Sequence, residues 1–134
     1  MDLAVVHGLW LGLTIVVSWL VICLWALGLR VIGPRGDTPT FWRAVALAQT
    51  LLAVQLLVGA ILLALRRWPG PDDGGAADLL FHLAYGAAFP LVVLVVAHAW
   101  ARAGRYHPHA LFAFAGLVNF GLTLRAWQVG ILGV

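Results

Sequence analysis

The sequence predicts an all-α fold, a bundle of four antiparallel transmembrane helices that forms a single membrane domain over residues 1–134. Of the residues, 63% are hydrophobic and 10% are charged, and the mean hydropathy is +1.01. A water-soluble domain of this size has more polar surface. Because backbone groups in lipid must be hydrogen-bonded within the chain, continuous apolar runs predict helices. Short connections between such helices predict antiparallel neighbours.

Four apolar segments are separated by clusters of Gly, Pro and charged residues. They cover residues 3–32, 40–67, 79–104 and 108–130. The third has no charged residue between Asp78 and Arg102. At about 1.5 Å per residue it is long enough to cross a hydrocarbon layer of about 30 Å. In the first, the leading charge is the acidic Asp2 and the apolar stretch is long, so we expect a retained helix rather than a cleaved signal peptide.

The distribution of arginines predicts the orientation in the membrane. The first and third loops with their flanks carry Arg30, Arg35, Arg43, Arg102 and Arg105. The second loop carries Arg66 and Arg67, diluted by three aspartates. The positive-inside rule therefore predicts a bacterial inner-membrane protein with loops one and three in the cytoplasm and both termini outside. Basic groups that flank apolar spans indicate contact with membrane lipid, not with nucleic acid.

Polar residues from four helices are predicted to meet near the outer face. His7 and His82 lie just inside the outer ends of helices one and three, and Arg125 and Arg66 return to that layer. An arginine at this depth is costly unless it is paired or hydrated. A haem b would bring propionates for the arginines and an iron that takes two axial imidazoles. We therefore expect His7 and His82 to be metal ligands, with Gly86 leaving room for the ring.

A second, inner site is the weaker prediction. His82 and His98 are sixteen residues apart, which at about 100° per residue places them about 160° apart around a regular helix. One haem is therefore favoured over two, with His98 and His109 as the ligands of any second site. Alternatively, His107 and His109 belong to a solvated turn before helix four.

Other functions stay open. A quinone could sit between Gln55 and a histidine, and a chlorophyll-type pigment needs only one histidine. Gln49, Gln55 and Asn119 are also candidates for interhelical hydrogen bonds. Alternatively, the chain is a cofactor-free structural subunit that docks to a larger respiratory or photosynthetic complex, with its histidines and Arg125 bonded to partner chains or lipid phosphates.

The sequence lacks residues that proton-driven exporters and hydrolytic enzymes need. The spans contain no carboxylate, which argues against proton-driven multidrug export. The sequence shows no nucleophile with a base at usable spacing, so an autonomous enzyme is not expected, although a redox subunit is.

Two motifs of helix three, FHLAYG and AHAWAR, extend the interpretation. In a four-helix chain with an arginine-rich inner side, they resemble the small b-type cytochromes and accessory membrane subunits of bacterial electron-transfer complexes. Such cytochromes often place two histidines on one face of a helix, and this chain departs from that spacing. The resemblance implies electron transfer between a quinol or a partner complex and an external acceptor, together with other membrane subunits.

Overall fold

The computed structural model describes residues 2–33, 38–65 and 76–132, in which all regular secondary structure is helical. Four helices follow one another: α1 (Leu3–Val31), α2 (Pro39–Ala64), α3 (Ala76–Arg102) and α4 (Pro108–Leu132). Each is long and apolar enough to cross a membrane. The predicted fold class is therefore confirmed, and the chain is a multi-pass membrane protein.

The helix ends agree closely with the predicted ones. Helix α2 begins at Pro39, because a proline in the first turn has no amide that needs a partner there. Helix α3 begins at Ala76, earlier than predicted, because Asp78 belongs to its first turn. A carboxylate there complements the positive end of the helix dipole. The predicted end of helix two at residue 67 lies outside the described residues.

Helices α1 and α4 form the centre of the bundle, and their backbones touch at Gly116. A Cβ atom at that position would lie 2.9 Å from the backbone nitrogen of Cys23 and 3.1 Å from the carbonyl oxygen of Trp19. Only glycine permits this approach. The buried core next to this contact contains Ile15, Trp19, Ile22, Ala26, Phe41, Val45, Ala48, Leu52, Leu94, Ala97, Leu111, Phe112 and Ala115.

Helices α2 and α3 each pack on a different helix of this central pair. Helix α2 packs against α1, and α3 packs against α4, while α2 and α3 have almost no backbone contact with each other. A hydrogen bond between Gln49 and His98, at 2.7 Å, bridges their side chains. The result is a groove between α2 and α3.

Two π-helical segments interrupt the α-helical pattern. One covers Val6–Leu11 in α1 and the other Ala84–Ala88 in α3. The second ends two residues before Pro90, which is buried and has no amide hydrogen. Short π-helical turns of this kind occur often at functional sites. Here the first segment contains His7, and the second begins two residues after His82.

Candidate functional site

A cavity of about 260 Å³ lies between the four helices, near the start of α1. Its walls are apolar and unusually rich in small residues, with glycines from every helix: Gly8, Gly12, Gly59, Gly86 and Gly130. The polar side chains of His7, His82 and Gln55 reach the same space. No carboxylate or guanidinium occurs among the described residues that line it. The site therefore suits a flat, largely apolar molecule that a few polar groups hold.

The imidazoles of His7 and His82 face this cavity together. Their ring centres are 6.1 Å apart and their planes are inclined by 49°. The prediction that the two histidines lie at one depth on different helices is thus confirmed. Whether they bind a metal stays a prediction.

His82 is oriented by two contacts with α4. Its Nδ1 lies 3.1 Å from the carbonyl oxygen of Ala126. Because a carbonyl can only accept, Nδ1 carries the proton and the lone pair is on Nε2. Its Cε1 would be 3.1 Å from a Cβ placed on Gly130, so this ring packs directly on the glycine. A backbone carbonyl that fixes the tautomer in this way is the usual support of a metal-binding histidine.

His7 is held by α2 and is only 6% exposed. A Cβ on Gly59 would lie 2.9 Å from its Cε1, so the ring rests on that glycine. The amide nitrogen of Gln55 donates to the backbone carbonyl of His7 at 2.9 Å and lies 3.5 Å from its Nε2, too far for a good bond. The buried Nδ1 of His7 and Oε1 of Gln55 have no hydrogen-bond partner in the described part of the chain. The ring therefore retains capacity to bind another group.

The π-helical segment of α1 is hydrogen-bonded to both α2 and α4. The amide of Gly12 donates to the carbonyl of His7, five residues earlier, and to that of Leu9. The carbonyl of Gly8 accepts a hydrogen bond from the indole nitrogen of Trp127 at 2.9 Å. The segment that carries His7 is therefore clamped from two sides, by Gln55 on α2 and by Trp127 on α4.

The remaining predicted site residues fall in different places. Gly86 lines the cavity, and a Cβ there would lie 4.0 Å from Nε2 of His82. Arg125 is exposed on α4 and is not among the cavity-lining residues, although its neighbour Ala126 is. Arg66 lies outside the described residues. The structure thus brings two histidines and one glycine together, and the role of the arginines stays a prediction.

His98 and His109 have different partners. His98 bonds to Gln49 and packs against the edge of Phe112, with ring centres 5.0 Å apart. His109 bonds to Thr38 at 2.8 Å and stacks on Trp42 with an interplanar angle of 16°. The interpretation of His109 as part of a solvated turn is wrong, because aromatic residues of α2 cover the ring and leave it only 8% exposed.

The π-helical segment of α3 also changes the expected angle between His82 and His98. A turn closed by i→i+5 bonding holds one extra residue, so the faces before and after it rotate by up to about 100°. The offset of about 160° expected for a regular helix then falls to about 60°. In agreement, each histidine lines a cavity that also contacts Leu52 and Leu56 of α2.

Several supporting residues were not predicted. Gly130 and Trp127 were missed, although Ala126 and Gly130 are four residues apart and so share a helix face. Interhelical bonding by Gln49 and Gln55 is confirmed. For Asn119 it is wrong, because the side-chain amide is buried without a partner in the described residues.

Comparisons with protein-family models, with curated proteins and with solved structures find no match to this chain. Its function must therefore be inferred from the geometry of the site.

Proposed function

We propose that the chain binds one haem b between α1 and α3 through His7 and His82, and acts as an electron-transfer or anchor subunit of a respiratory-type complex. One observation carries the proposal. An imidazole nitrogen lies about 2 Å from a bound metal and the ring centre about 1.2 Å further, so two imidazoles on opposite sides of one metal have centres about 6.4 Å apart. The observed spacing is 6.1 Å.

The chemistry of the walls supports a macrocycle. The lone pair of His82 is on Nε2 because Ala126 holds Nδ1. His7 and His82 would supply the two imidazoles that complete the ligand set of a haem iron. A cavity of about 260 Å³ encloses only part of such a ring. The rest would extend past Leu63 and Leu83, which line the cavity and are 41% and 40% exposed. When bound, haem would supply one-electron transfer between ferrous and ferric iron.

Arg125 and Arg66 are the proposed partners of the haem propionates. Arg125 is next to a cavity-lining residue and on the exposed side of α4, which a propionate that leaves the cavity could reach. Arg66 follows the end of the described part of α2. The arginine distribution supports a bacterial inner membrane with both termini outside.

The proposal is tested by replacing each ligand and measuring haem bound to the purified full-length protein. We expect the His7→Ala and His82→Ala variants to lose the Soret band and the haem content measured as pyridine haemochrome. His107→Ala is the matched control, because this histidine is exposed in the loop between α3 and α4. Equal haem content in the wild type and all three variants would contradict the ligand assignment.

A cofactor-free accessory subunit is the second candidate, in which the exposed helix faces dock to a larger respiratory or photosynthetic complex. The observation that favours it is the hydrogen bond from His82 to Ala126, which joins α3 to α4 without any cofactor. It predicts that wild-type protein is colourless when pure and that His82→Ala lowers only its thermal stability. A chlorophyll-type pigment on one histidine would instead give a far-red band.

A further inference from the structure

A second cavity adjoins the first one and lies between α2 and α3. Its volume is about 450 Å³, which is within the range of about 300–1,000 Å³ typical of small-molecule sites. Leu52 and Leu56 of α2 contribute to the walls of both cavities. Leu91 and Val95 line the second cavity and are 45% and 68% exposed. The second cavity is therefore open along the side that would face lipid.

The polar part of this cavity is the bonded pair of Gln49 and His98. Their Nε2 atoms are 2.7 Å apart. With the amide donating, Nε2 of His98 accepts and the imidazole proton is on Nδ1. The pair then still offers two donors, the second amide hydrogen of Gln49 and Nδ1–H of His98, and one acceptor, the amide oxygen. Phe112 packs edge-on against His98 and limits rotation of the ring.

A hydrogen bond between two helices is often only a brace. A bracing role explains the hydrogen bond between Gln49 and His98. It does not explain the cavity that both residues line. A ligand that enters from lipid and meets these groups must be apolar over most of its surface and must carry oxygen acceptors. Arg102 also lines this cavity and is exposed, so its guanidinium adds further donors at the end of the groove.

We infer that this second cavity binds the ring of a lipid-soluble quinone, whose carbonyl oxygens accept hydrogen bonds from Gln49 and His98. The flat ring fits between α2 and α3, and its isoprenoid tail leaves through the open side. The choice of a quinone over other carbonyl-bearing lipids rests on the proposed function, because a membrane electron carrier needs a redox partner in the lipid phase. The binding itself does not require haem.

The test is equilibrium binding of decylubiquinone to the full-length protein in detergent, measured by titration calorimetry. We expect saturable binding to the wild type and a Kd raised roughly tenfold in Gln49→Leu and in His98→Leu, as the loss of one hydrogen bond in an apolar site predicts. The matched control is Thr50→Val, since Thr50 is exposed and its hydroxyl donates to the Ala46 carbonyl of its own helix. Because the polar pair also braces the bundle, replacing either residue changes helix packing as well as the cavity. Val95→Phe is therefore a second test, since it narrows the groove and leaves the pair intact. It should weaken binding as well.

The inference would be overturned by the absence of saturable binding to the wild type, or by a Kd that is equal in the wild type and in the Gln49, His98 and Val95 variants. Equal competition by decylbenzene, which has no carbonyl oxygens, would also overturn it, because the groove would then hold only a lipid chain. Haem binding and quinone binding fail independently in these variants. His7→Ala should lose haem and still bind decylubiquinone, and a colourless wild type that binds decylubiquinone would refute haem binding and support the quinone site.

Discussion

Gly59 supports the ring of His7, and replacing it by alanine should disturb the metal site without unfolding the bundle. The added Cβ would lie 2.9 Å from Cε1 of His7, whereas ordinary contacts begin at 3.4 Å, so the ring or α2 must move by about 0.5 Å. Ligand-to-metal distances tolerate only about 0.2 Å. Changes in residues that orient a metal ligand typically lower metal affinity about 10- to 100-fold. We expect a loss of haem affinity in this range.

The assay is the haem retained by Gly59→Ala during purification, followed by titration with added haemin. Alanine is preferred over glycine in a helix by up to about 1 kcal/mol, so the substitution itself does not oppose folding. The matched control is Gly28→Ala, because no atom lies within 4 Å of a Cβ at that position. If Gly59→Ala binds haem as tightly as Gly28→Ala and the wild type, His7 does not need its glycine support and the proposed ligand geometry is wrong.

Three further predictions concern the bundle and the rim of the cavity. Gly116→Ala should lower the free energy of unfolding in detergent by about 1–3 kcal/mol relative to Gly121→Ala, because overpacking separates the touching backbones; no atom lies within 4 Å of a Cβ at position 121. Equal stabilities would contradict this. Trp127→Phe should cost about 0.5–1.5 kcal/mol, because the indole bond to Gly8 is lost; an unchanged denaturation midpoint would contradict the clamp. Arg125→Leu should loosen haem retention, and unchanged haem content and reduction potential would count against a propionate role.

The sequence predicted the helices well because lipid imposes a strong rule. A long apolar run must be helical to satisfy its own backbone, and the breaks are marked by Gly, Pro and charge. The depth of His7 and His82 followed from counting residues along antiparallel helices of known rise. One difference among the described helix ends is the start of α3, where Asp78 is compatible with both a loop and a first turn.

The details of the site could not be predicted in the same way. In the π-helical segment of α1 the carbonyl of Gly8 accepts a hydrogen bond from Trp127, a contact between residues far apart in the chain that a single sequence does not reveal. Regular helical periodicity, which predicts about 160° between His82 and His98, does not account for the extra residue of the π-helical segment between them. The roles of Gly130 and Phe112 depend on which helix faces which, and nothing in a single sequence states that α4 lies between α1 and α3.

The central claim is that His7 and His82 hold a haem iron between them, and one measurement tests it most directly: the optical spectrum of the purified protein, oxidised and then reduced with dithionite. We expect a sharp Soret band that shifts on reduction and distinct α and β bands, as for an iron with two imidazole ligands. Folded, pure protein without visible absorption, even after titration with haemin, would contradict the claim.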